Sequence, residues 1–143
     1  MTRSSDTAAA PAQQHRHRRT RRDHATELAE DYVESIHELI RDEGVCRVSQ
    51  LAKRFLVSHV TVTRTVGRLV RDGLAETAPR RPITLTPQGE ALAKQCRERH
   101  AAVLRFLLAL GVPRSVAEVD AEGIEHHVSP ETLAAMRAFA EST

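Results

Sequence analysis

Tryptophan is absent, tyrosine occurs once, and aromatic residues make up only 3% of the 143 residues. Leu, Val and Ala must therefore do most of the packing. No apolar run approaches the ~20 residues of a spanning helix. The longest, Phe106 to Val112, is interrupted by Gly111, so no partnership with a membrane is expected. The Ala-, Gln- and Arg-rich N-terminus has no apolar core of the secretory kind. The two cysteines, Cys46 and Cys96, match neither a zinc-finger spacing nor a disulfide framework. A reduced, cytoplasmic protein is expected. The length suits one compact domain or two small modules sharing a core, and excludes a large enzyme.

What is present is charge, and it is unevenly placed. The net charge is +2, but residues 1–22 carry six Arg against one Asp, and residues 23–47 carry eight acids against two Arg. Residues 48–85 then hold seven basic side chains against two acidic, and residues 86–143 six against eight. Two basic blocks alternate with two acidic ones, which implies a polyanion-binding part beside a part with another task.

Residues 1–22 show no apolar period and read as a disordered, Arg-rich tail. From Asp23 to Arg41, the residues Leu28, Tyr32, Ile36, Leu39 and Ile40 recur at helical spacing, predicting an amphipathic helix closed by Gly44. Ser49 is read as the cap of a short helix to Phe55, and Ser58 as the cap of a third with Val62, Val66, Leu69 and Val70 inward. Two short helices across a tight Leu56-Val57 turn predict a helix-turn-helix. The runs Leu74–Glu76 and Ile83–Leu85 predict a β-hairpin wing, limited by Pro79 and Pro82. Thr86-Pro87 opens a long helix ended by Gly111, Pro113 opens another to about His127, and Ser129-Pro130 opens the last. The expected fold class is mostly α: a winged helix-turn-helix over residues 23–88 and a helical domain over residues 89–143.

A helix-turn-helix presents the first turns of its second helix to base edges. Ser58, His59, Thr61, Thr63 and Arg64 occupy that region, with Arg68 and Arg71 further along, better suited to phosphates. Arg80 and Arg81 sit at the wing tip. These nine residues are the expected DNA contacts.

The second constellation is acidic. Asp31 and Glu34 share a helix face, Glu122, Glu125 and His126 share another, and His100 lies on the long helix between them. Two readings stand. The groups are solvated helix charges, or they converge in the bundle interior to hold a divalent metal, which would cancel a repulsion otherwise costing several kcal/mol.

From Glu30 to about Phe139 the chain resembles the manganese regulators of the diphtheria-toxin-repressor, or iron-dependent repressor, family. The resemblance is carried by Asp31-Tyr32-Val33-Glu34, by Leu51-Ala52, Val57-Ser58 and Val62-Thr63-Arg64, and by Leu85-Thr86-Pro87-Gln88-Gly89. It continues in Arg99-His100, Phe106-Leu107, Leu110-Gly111-Val112 and Asp120-Ala121-Glu122-Gly123-Ile124-Glu125-His126-His127-Val128-Ser129. It implies six metal ligands, Asp31, Glu34, His100, Glu122, Glu125 and His126, with Mn²⁺ as the cofactor and room for two ions per subunit. It also implies a homodimer on a palindromic double-stranded DNA operator. The iron branch of the family has Met and Cys where this chain has Asp31 and Glu125, and carboxylates are the harder ligands. One departure stands out: relatives often carry Arg-Gly where this chain has Arg81-Pro82, and proline fixes φ and removes a donor.

The function expected is a manganese-responsive repressor of metal-uptake genes, not an enzyme. An iron-responsive repressor is the alternative within the family. A metallo-hydrolase built on His100, Glu122, Glu125 and His126 is the alternative outside it, but the sequence offers it no nucleophile or oxyanion-stabilising motif.

Overall fold

A computed structural model describes the backbone of residues 9–143 and the side chains of residues 23–143. Six helices and a two-stranded hairpin follow in the order α1 (Ala9–Glu43), α2 (Val48–Phe55), α3 (His59–Arg71), β1 (Ala75–Glu76), β2 (Thr84–Leu85), α4 (Pro87–Ala109), α5 (Arg114–Ile124) and α6 (Pro130–Glu141). A single 3-10 turn, Glu125–His127, joins α5 to the loop before α6.

The first helix begins at Ala9 rather than Asp23. The expected disordered tail lies outside the described residues over 1–8, and from Ala9 onward the backbone is helical. Ala, Gln and Arg are strong helix formers, Pro11 is tolerated in a first turn, and extending an existing helix avoids the cost of a new nucleus. The amphipathic stretch buries Tyr32, Val33, Ile36 and Leu39, while Leu28 stays exposed.

Arg47, not Ser49, caps α2. The Gln50 side-chain oxygen accepts from the Arg47 N–H at 2.6 Å, and its amide donates to Glu43 at 2.5 Å. Leu56 closes the helix with φ 56° in the left-handed region. The Ser58 Oγ then caps α3 by accepting from the Thr61 N–H at 3.1 Å, as expected. The inward stripe of α3 is Val62, Thr65, Val66 and Leu69, with Val70 exposed instead. Thr65 is admitted because its hydroxyl donates to the Thr61 carbonyl at 3.1 Å, leaving it no unmet bond.

The wing is antiparallel, with Ala75 opposite Leu85 and Glu76 opposite Thr84. The Ile83 N–H donates to the Cys46 carbonyl at 2.8 Å, anchoring the wing to the loop before α2. Arg80 turns the tip at φ 65°. Gly89 is required by proximity: a Cβ there would stand 2.0 Å from the Leu74 carbonyl oxygen.

Two cores result. The first gathers α1, α2, α3 and the wing, with Tyr32 stacked on Phe55 at 4.4 Å. The second gathers the C-terminal half of α4 with α5 and α6, and Phe106 meets Phe139 edge-on at 5.5 Å. The long α4 serves both, since Ala93 belongs to the first and Ala102 to the second.

Candidate metal centre and DNA-binding face

Where the two cores meet, α1, α4 and the segment after α5 bring acidic and imidazole groups together. His100 Nδ1 lies 2.8 Å from Glu125 Oε2 and 3.8 Å from Glu122 Oε1. His126 Nε2 lies 3.0 Å from Asp31 Oδ1 and 3.5 Å from Glu125 Oε1. The donor atoms of His100, Glu122 and Glu125 form one group within 4.8 Å of one another, and those of Glu27, Asp31 and His126 form a second. Glu34 lines a cavity of about 260 Å³ together with Asp31, Ser35, Glu38, Phe55 and Glu122. All six expected ligands thus border one junction, five of them in the two groups and Glu34 on the adjoining wall.

The expected helix from Pro113 to His127 ends earlier, at Ile124, and its last residues tighten into the 3-10 turn. This tighter turn carries both Glu125 and His126, and Glu125 is buried.

The electrostatics mark a site short of positive charge. Burial, then the charges of Glu34 and Glu122, push the Glu125 carboxyl up to about 8. Burial, then Glu122, pushes Glu34 up to about 7. Hydrogen bonds to Asp31 and Glu30 push the His126 imidazole up to about 10. Both Glu125 oxygens are buried without a hydrogen bond among the described residues, despite their approach to His100 and His126. Buried orphan carboxylate oxygens are rare and costly. Four carboxylates and two imidazoles with converging lone pairs fit a divalent cation that favours oxygen and nitrogen.

Two carboxylates at this junction were not singled out from the sequence. Glu30 is buried, ion-paired to Arg99, and bonded to His126 Nδ1 at 2.7 Å. Burial alone would raise its pKa, but the hydrogen bonds and charges of His126 and Arg99 hold it below the usual carboxylate value. Glu27 accepts from His127 Nε2 at 3.1 Å and borders the Asp31–His126 group. Its position one helical turn before Asp31 was the available signal. Cys46 and Cys96 are free and buried, and burial raises both thiols, Cys46 to about 11.

On the first core, Ser58 at the cap of α3 and His59, Thr61, Thr63, Arg64, Arg68 and Arg71 along it are all exposed, as are Arg80 and Arg81 at the wing tip. The Ser58 and Thr61 hydroxyls are engaged with each other at 3.0 Å, which leaves His59, Thr63 and Arg64 as the freer groups of the first turns. Val60, 66% exposed on the same helix, adds an apolar surface that the reading of the stripe had not assigned.

Residues 24–83 match the iron dependent repressor N-terminal DNA binding domain, and residues 86–142 match the iron dependent repressor metal binding and dimerisation domain. The chain is 49% identical over 124 residues to the transcriptional regulator MntR of Escherichia coli O6:H1, covering 87% of this chain and 80% of that one. It is 40% identical over 104 residues to the HTH-type transcriptional regulator MntR of Lysinibacillus sphaericus, covering 73% and 75%. Among solved structures, a manganese-dependent transcriptional repressor in complex with manganese superposes with TM-score 0.70 at 27% identity, over 80% of this chain and 53% of that one. The chain spans about half the length of that solved relative. On the sequence match and the two domain matches, the chain belongs to the iron-dependent repressor family, among its MntR-type regulators.

Proposed function

We propose that this protein is a cytoplasmic, homodimeric repressor that binds a palindromic operator in response to Mn²⁺ and controls metal-uptake genes. The observation that carries the reading is the buried Glu125 carboxylate, without a hydrogen bond among the described residues and placed among Asp31, Glu34, His100, Glu122 and His126 at the joint between the helix-turn-helix and the second core. These six residues are the proposed ligands, and the two donor groups support two ions per subunit. We take residues 23–88 as the DNA-binding unit and residues 89–143 as the sensing and dimerising unit. When bound, the cation supplies positive charge that cancels the repulsion among the carboxylates.

The chain's own residues do the rest. Asp31 and Glu34 stand on α1, whose apolar face is built into the first core through Tyr32, Val33 and Ile36. Their carboxylates oppose Glu122 and Glu125, so the balance of charge at this joint bears on how the first core sits against the second. Arg64, His59 and Thr63 would reach base edges, Arg68 and Arg71 phosphates, and Arg80 and Arg81 the backbone or minor groove beside them. Family membership and the exposed basic face leave the hydrolase alternative without support.

The test is selection of binding sites from a random duplex library with Mn²⁺ present, followed by anisotropy titrations with Mn²⁺, Fe²⁺, Co²⁺ and Zn²⁺ in excess under anaerobic conditions. Mn²⁺ should give the fullest activation on a palindromic site. Binding without metal, or full activation by Zn²⁺ but not by Mn²⁺, would overturn the assignment.

A further inference from the structure

The Oε2 atom of Glu30 joins three elements. It is ion-paired to the Arg99 guanidinium on α4, it is 2.7 Å from His126 Nδ1 on the 3-10 turn, and it belongs to α1. Each of those elements carries a proposed metal ligand next to or at the contact: Asp31 follows Glu30, His100 follows Arg99, and His126 is itself a ligand. A guanidinium has only N–H groups to give, so the oxygen facing it is an acceptor. The same oxygen must then accept from His126 as well, which places a hydrogen on Nδ1. With Nδ1–H committed to Glu30, the proton a cation displaces is the one on Nε2, and the neutral ring then carries its lone pair there. That is the atom 3.0 Å from Asp31 and 3.5 Å from Glu125.

We infer that Glu30 is a positioning residue for the metal centre: held by Arg99, it fixes the His126 ring in the tautomer and orientation that present Nε2 to a divalent cation. The inference rests on the reading of His126 and Asp31 as ligands. Glu30 is not a further ligand, because the oxygen it directs inward is engaged by two donors. A ligating histidine whose other nitrogen donates to a carboxylate is made more basic and loses rotational freedom, and loss of such a partner typically costs about 10- to 100-fold in metal affinity.

The experiment compares wild type with Glu30→Ala and Glu30→Gln, each checked for folding by circular dichroism. Mn²⁺ binding is followed by loss of the free-ion electron paramagnetic resonance signal. Long-range proton–nitrogen spectra of the Zn²⁺-loaded, ring-labelled protein read the His126 tautomer. Glu30→Ala should weaken Mn²⁺ by about 10- to 100-fold and lose the fixed Nδ1–H form. Glu30→Gln, whose amide oxygen still accepts from Nδ1–H, should keep the tautomer and weaken binding several-fold. Wild-type Mn²⁺ affinity in either folded variant would overturn the inference, and if Glu30→Ala does not fold, Glu30→Gln decides. Asp31→Ala and His126→Ala serve as controls. If these bind Mn²⁺ like wild type, the ligand assignment itself fails, whereas losses in both with unchanged Glu30 variants reject only the positioning role.

Discussion

Replacing Glu125 by Gln should make the metal-free protein less sensitive to rising pH. The Glu125 carboxyl is buried, its two oxygens lack hydrogen bonds among the described residues, and its pKa is pushed from 4.5 to about 8 by burial and by Glu34 and Glu122. An acid whose pKa rises on folding carries no penalty below its ordinary value. It destabilises the folded state progressively as pH climbs toward the raised one. At about 1.4 kcal/mol per unit, the cost accumulated between pH 5 and pH 8 is about 3 kcal/mol. In a chain of this size that corresponds to about 10 °C in Tm. Gln keeps the shape without titrating, so most of this portion of the pH dependence should vanish from the variant. Urea denaturation of the metal-free proteins at pH 5 and pH 8 measures the difference directly. Parallel losses of stability in wild type and Glu125→Gln would refute the claim that this carboxylate is buried against its own charge. A gain confined to pH 8 would support it.

Other outcomes follow from the same geometry. His100→Ala and Glu122→Ala should each abolish metal-dependent operator binding while leaving a folded dimer, and either variant responding at the wild-type Mn²⁺ concentration would remove that residue from the ligand set. Because His126, Glu125 and Glu34 titrate at about 10, 8 and 7, loading with Mn²⁺ at pH 7 should release about two protons per chain. Calorimetry in buffers of different ionisation enthalpy counts them, and no release would contradict the assignment. Arg64→Ala should cost about 1–3 kcal/mol on the operator with little change on random DNA, whereas Arg71→Ala should weaken both alike. Equal losses on the two DNAs for Arg64→Ala would make it a phosphate contact. Arg80→Gly should stabilise the wing by about 1 kcal/mol, since only the left-handed φ of 65° is relieved, and an unchanged or lower Tm would argue against strain there.

The legible parts of the sequence were those governed by local chemistry. Ser58 and Ser129 each accept from the N–H three residues on, and Thr86 does the same for Gly89, so three helix starts fall where side-chain oxygens place them. The parts that were not legible depend on partners distant in the chain. Glu30 looks like any helix-surface acid until Arg99, 69 residues away, and His126, 96 residues away, arrive to satisfy it. Val70 and Thr65 compete for the inward stripe of α3, and Thr65 wins because the helix backbone itself absorbs its hydroxyl. At α2, Gln50 reaches back to satisfy the Arg47 N–H, and the Gln50 N–H is met by the Arg47 carbonyl rather than by a Ser side chain. The ligand residues were visible as spacings. Their convergence was one of two readings the spacings left open, and the 3-10 turn that carries Glu125 and His126 was not anticipated.

The acidic cluster lies on elements outside the helix-turn-helix, so its charge bears on α3 only through α1. α1 is built into the first core through Tyr32, which stacks on Phe55 of α2, and α2 in turn packs with α3. Further ties, Arg54 to Glu38 at 2.9 Å and His37 to Glu90 at 2.8 Å, bind α1 to α2 and to the start of α4. The helix-turn-helix is therefore packed directly on α1. By contrast, Glu122 and Glu125 belong to the second core's side of the joint, where Ala117, Ala121 and Leu133 pack. Repulsion between Asp31 and Glu34 on one side and Glu122 and Glu125 on the other acts across the joint between the two cores. A cation that cancels this repulsion would favour the arrangement in which the two sides lie close.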